Sequence, residues 1–109
     1  MINISIVRDK TNFIWEFNIK GHAGFAEYGS DIVCAAVSAI AYTALGALDE
    51  LAGIRNYTER SGCMECRIPL DISGDAKNTA RIILDAMAIG FKQIEREYGK
   101  YVSVVDEEV

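Results

Sequence analysis

The sequence predicts an α+β fold, a mixed β-sheet with two helices packed on it in the element order β-β-α-β-β-α-β. Three observations carry that prediction. Residues 2–20 alternate apolar and polar with the period of two of a strand, interrupted by a cluster of turn formers. Residues 32–52 form an apolar run of helical length, and residues 80–98 repeat their apolar side chains at helical spacing.

Taken in order, Ile2, Ile4 and Ile6 alternate with Asn3, Ser5 and Val7, the pattern of a strand with one face buried. After Asp9-Lys10-Thr11-Asn12, Phe13, Trp15, Phe17 and Ile19 alternate with Ile14, Glu16, Asn18 and Lys20, so the two segments read as a hairpin. The aromatic residues suit a core face, because aromatic rings bring large buried areas. Gly21, Gly24 and Gly29 punctuate the loop that follows; such spacing lets a loop move or a substrate backbone approach closely. A helix is expected from about Ile32 to Ala52, capped by Ser30 or Asp31. It is apolar almost all round until Asp49 and Glu50, which predicts deep burial. A membrane span of about 20 apolar residues is the competing reading, and the alanine-rich composition argues against it. Ala35, Ala39, Thr43 and Gly46 form a small-residue stripe that invites close approach by the sheet, by the second helix or by another copy of the chain.

Beyond it, Tyr57–Ser61 and Met64–Pro69 flank Gly62 as a second hairpin, with a polar loop over Asp71–Asn78. In the second helix Ala80, Ile83, Leu84, Met87, Phe91, Ile94 and Tyr98 share one face, and Arg81, Asp85, Lys92, Glu95 and Arg96 the other. Tyr101–Val105 supplies a last strand. With no repeat and no linker in 109 residues, half of them hydrophobic, a single domain over residues 1–109 is expected.

The segment Gly21–Ser38, GHAGFAEYGSDIVCAAVS, carries the candidate chemistry. It holds the only histidine of the chain, His22, and sets Cys34 in the first turn of the predicted helix. Unpaired N–H groups and the macrodipole at a helix N-terminus favour the thiolate, the nucleophilic form of a cysteine. A glycine-rich connection can fold back to bring the imidazole to the sulfur, and a cysteine with a base is a nucleophilic pair. The bland alternatives are a buried inert thiol and a surface histidine. Asp31 either caps the helix or orients His22, and its place at the helix start favours capping. Ser38, one turn beyond Cys34, either meets substrate and thiolate or bonds its own helix. The N–H groups of Val33, Cys34 and Ala35 are candidate oxyanion donors.

Gly21-His22-Ala23, Gly29 and Asp31-Ile32-Val33-Cys34-Ala35-Ala36-Val37-Ser38 together resemble the signature of the ribosomal-processing cysteine protease Prp family, with no departure inside the motif. The resemblance extends over essentially the whole chain. It implies a bacterial cytosolic endopeptidase that removes a short N-terminal extension from large-subunit ribosomal protein twenty-seven, with His22 and Cys34 as the catalytic pair. Under that implication Phe25 and Tyr28, beside His22, are candidates to contact an aromatic-rich cleavage site, with a hydrophobic plug as the plainer role.

Other features bound the function. The N-terminus MINISIVRDK lacks the character of a signal or transit peptide, so a cytoplasmic location is expected. Three cysteines, an odd number, fit thiols in a reducing compartment better than a disulfide scaffold. Cys63-Met64-Glu65-Cys66 resembles a metal or redox motif, but on a strand its thiols point to opposite faces and no second ligand pair exists, so neither metal nor cofactor is expected. The net charge of −5 argues against direct nucleic-acid binding and suits a basic partner. Two noncatalytic alternatives remain at this point: a ribosome-assembly adaptor that binds a basic ribosomal protein, and a structural homodimer joined through the small-residue stripe.

Overall fold

The computed structural model describes residues 1–27 and 31–108. Its elements are β1 (Ile2–Arg8), β2 (Ile14–Lys20), α1 (Ile32–Ala52), β3 (Tyr57–Arg60), β4 (Cys63–Arg67), α2 (Gly74–Glu97) and β5 (Val102–Glu108). They build one five-stranded sheet in the order β3-β4-β2-β1-β5. β1 runs antiparallel to β2 and parallel to β5, β4 is antiparallel to β2, and β3 closes the edge antiparallel to β4. The predicted mixed sheet and element order are therefore observed. Ile2, Ile4 and Ile6 of β1, Phe17 of β2 and Cys66 of β4 are buried together with Val33, Val37 and Leu48 of α1 and Leu84 and Phe91 of α2. The helices pack side by side, close enough that a Cβ on Gly90 would stand 2.9 Å from Ile40 Cδ1.

Several boundaries differ from the sequence expectation for physical reasons. The β1–β2 register slips between Val7 and Arg8, where Glu16 and then Ile14 are the partners, so Trp15 is an extra residue. A bulge of this kind resets the alternation. Accordingly Ile14 is buried while Trp15 is only half-buried. α2 begins at Gly74, inside the stretch expected to be a loop. Ser73 caps it by accepting the Ala76 N–H at 3.1 Å, and Asp75 sits in the first turn where negative charge suits the dipole. That first turn projects into solvent, so it carries no apolar periodicity to read. β5 runs on to Glu108 because Asp106 accepts from Arg8 of β1 at 2.8 Å and from Lys92 of α2 at 2.6 Å.

α1 is less buried than expected. Its inner stripe is Val33, Val37, Ala41, Ala44, Leu45 and Leu48. Ala35, Ala39, Thr43 and Gly46 are exposed, so the small-residue stripe faces outward and is not a buried packing face. By length and composition α1 could cross a bilayer, yet its inner face is part of the protein core.

Candidate active site

The loop after β2 is fixed first by Gly21. Its φ is +94°, and a Cβ there would lie 2.4 Å from the Met1 carbonyl oxygen, so only glycine fits. Its N–H donates to the Gly62 carbonyl at 2.9 Å, which ties the loop to the β3–β4 turn. His22 comes next, exposed, with its ring laid against Gly62, where an added Cβ would stand 3.2 Å from Nε2. Ala23 is buried, and its N–H donates to Cys34 Sγ at 3.3 Å. The fold-back that the sequence suggested is thus present. Strand pairing holds its start, and the cysteine sulfur accepts a bond from it farther on.

Asp31 secures the other side of the same loop. Oδ1 accepts the N–H groups of Val33 and Cys34, each at 3.0 Å, which makes Asp31 the cap of α1. Oδ2 accepts the Phe25 N–H at 3.0 Å and the Ala26 N–H at 3.4 Å. Asp31 is 9% exposed, and burial pushes its carboxyl up, but the backbone donors of Cys34, Ala26, Phe25 and Val33 outweigh that and hold it below the usual carboxylate range. Capping is therefore its observed role.

The expected oxyanion donors need correction. The Val33 and Cys34 N–H groups are taken by the Asp31 carboxylate, and the Ala35 N–H donates to the Asp31 carbonyl at 3.1 Å. A capped helix start leaves none of the three for a ligand. Among the described residues, the Gly24 N–H has no acceptor, and Gly24 lines the cavity described next with open space where a Cβ would stand.

Cys34, half-buried, and His22 line one cavity of about 900 Å³ between the start of α1 and the β3–β4 hairpin. Gly21, Asp31 and Ser38 line it as well. Ser38 is exposed and makes no bond to its own helix, so its hydroxyl is available to a ligand. Phe25 faces elsewhere: it meets Tyr101 and Tyr98 edge to face at 5.1 and 5.9 Å between ring centres, which is the plug arrangement. Tyr28 lies outside the described residues.

Tyr42 and Glu59 form part of the wall, and the sequence alone did not single them out. Tyr42 is carried there by α1, two turns after Cys34, and Glu59 by the pairing of β3 with β4 and of β4 with β2, a nonlocal arrangement that strand patterns do not encode. Cys66 sits in the core opposite Phe17, where burial pushes its thiol up to about 12. Cys63, three residues away on β4, leaves the opposite face. Among the described residues no group of three or more His, Cys, Asp or Glu side chains is placed to hold a metal ion.

Comparison with known proteins places this geometry in a family. Residues 1–103 match the family model described as cysteine protease Prp. The ribosomal processing cysteine protease Prp of Bacillus subtilis is 34% identical over 101 residues, covering 90% of each chain. The protein of that name from Staphylococcus aureus is 31% identical over 105 residues, covering 94% of this chain and 95% of its own. The crystal structure of the Staphylococcus aureus protease with a covalently linked product peptide superposes with a TM-score of 0.86 at 30% identity, covering 98% of this chain and all of that one. A second structure, with a substrate peptide, gives 0.81 at 25% identity with the same coverage. A loop stitched across its only histidine and a first-turn cysteine, on a fold shared end to end with these enzymes, makes this chain a member of the cysteine protease Prp family.

Proposed function

We propose that this cysteine protease removes a short N-terminal extension from large-subunit ribosomal protein twenty-seven, with Cys34 as nucleophile and His22 as proton carrier. The observation that carries the reading is the shared cavity, which holds both side chains beside a loop bonded to the cysteine sulfur. Cys34 Sγ attacks the scissile carbonyl carbon as His22 takes the thiol proton. The tetrahedral intermediate collapses, the C–N bond breaks, and His22 returns the proton to the departing amine. Water, deprotonated by His22, then hydrolyses the thioester and releases the free thiol. With the helix N–H groups committed to Asp31, the Gly24 N–H and the Ser38 hydroxyl are the donors left to the developing oxyanion.

Membership of a protease family sets aside the noncatalytic adaptor and the purely structural dimer. The location is proposed to be cytoplasmic, without direct nucleic-acid or membrane partners, and the enzyme to act as a homodimer. The exposed apolar side of the helix layer supports that last point, with Ile32 on α1 and Ile82 and Ile89 on α2 all more than half exposed.

The test is incubation of wild type, Cys34→Ala and His22→Ala with the extended ribosomal protein, reading the substrate's N-terminus by intact mass. Site-specific trimming by the wild type is expected. Cys34→Ala should lose it by about 10⁴-fold or more, and His22→Ala by roughly 10²- to 10⁴-fold. Undiminished trimming by Cys34→Ala would sink the assignment.

A further inference from the structure

We infer that Glu59 is a specificity residue that reads a lysine or arginine side chain of the bound peptide, three or four residues from the scissile bond. The inference rests on the protease reading above. Two carboxylates line the cavity, and they differ in what they have left to offer. Asp31 is saturated by four backbone N–H groups. Among the described residues Glu59 accepts one bond, from the Tyr42 hydroxyl to Oε1, whereas a carboxylate has about four acceptor positions. No ion pair engages it among the described residues. The phenol therefore steadies an exposed carboxylate while leaving Oε2 for a ligand.

Position follows from the fold. Glu59 stands opposite Met64 in the β3–β4 ladder and shares its face, the side that looks toward α1. Arg60, next on the strand and starting from its opposite face, also lines the cavity, but the two do not pair. Tyr42, the anchor of Glu59, lies eight residues after Cys34 on α1. At 1.5 Å per residue that is about 12 Å along the helix axis. An extended peptide covers about 3.3 Å per residue, so the same span is three or four peptide residues counted from the carbonyl at Cys34. Ser38, one turn from each, lines the path between them. An exposed carboxylate at a fixed distance from the nucleophile discriminates by charge, with a modest and salt-sensitive effect.

The experiment uses short N-acetylated peptides spanning the cleavage junction, so that side chains are the only cations near it. Lysine or the similarly long but neutral methionine is placed in turn at each position within about four residues of the scissile bond. The expected result is a kcat/KM about two- to fivefold higher for lysine at one position three or four residues away, shrinking as salt is raised. Glu59→Gln should abolish that preference, and Glu59→Lys should reverse it in favour of glutamate at the same position, which also shows that the variant is folded. Equal cleavage of lysine and methionine peptides at every position, or a preference that survives Glu59→Gln, overturns the inference. If the wild type cleaves no short peptide, the protease reading is judged separately, by trimming of the extended ribosomal protein. The same peptides titrated onto Cys34→Ala protein then decide the matter: a lysine preference in affinity that Glu59→Gln removes upholds recognition by Glu59, and its absence overturns it.

Discussion

One oxygen of the Asp31 carboxylate holds the first turn of α1 and the other holds the loop that carries His22, so a single side chain sets Cys34 and His22 in one frame. The sequence placed Asp31 at the cap because short acceptors belong there; its second set of donors, Phe25 and Ala26, follows only from a loop path that no local pattern specifies. The charge on this carboxylate has a calculable direction. Its folded value lies below the ordinary one of about 3.9, so the stability it contributes is complete above that pH and is lost as the pH falls through the folded value. Asp31→Asn keeps the shape, removes the charge and points an amide NH₂ at backbone donors. Wild type should exceed this variant in urea-unfolding stability at neutral pH, with the gap closing below about pH 4. A gap independent of pH would mean that charge plays no part.

Among the elements, the loop between β2 and α1 depends on a backbone position that tolerates no side chain. Gly21→Ala places a Cβ against the Met1 carbonyl and strains a left-handed backbone. It should cost about 1–3 kcal/mol, seen as a lower Tm, and should slow cleavage by displacing His22. Gly24→Ala, at φ +71° but with open space around its Cβ, incurs strain alone and should lower Tm less. Equal melting of the two variants would contradict the close approach at Gly21. The hairpins, the two helices and the final strand were legible because period and turn chemistry are local. The bulge at Trp15, the solvent-facing first turn of α2 and the last residues of β5 were not, since each depends on a partner distant in sequence: the β1 register for Trp15, and Arg8 and Lys92 for Asp106.

For the whole molecule, the same division explains what the sequence did and did not reveal of the site. His22 and Cys34 stand in one short motif, but Glu59 joins them only through the β2–β4 pairing. The pattern also misdirected one expectation: an apolar run as long as α1 suggests burial all round, whereas Ala35, Ala39, Thr43 and Gly46 face outward. The outward side of α2 adds Ile82 at 73% and Ile89 at 59% exposure. A small acidic domain gains solubility from its charge of −5, yet keeps this face apolar. The proposed homodimer would cover that face. Native mass spectrometry should accordingly find the wild type at twice its chain mass of 12.0 kDa. Ala39→Arg sets a long cation on the exposed face of α1 and keeps a good helix former. It should therefore shift the protein to the single-chain mass with its helical circular dichroism unchanged. A wild type that stays at the single-chain mass through rising protein concentration would show that the apolar side of the helix layer is left uncovered by a second copy.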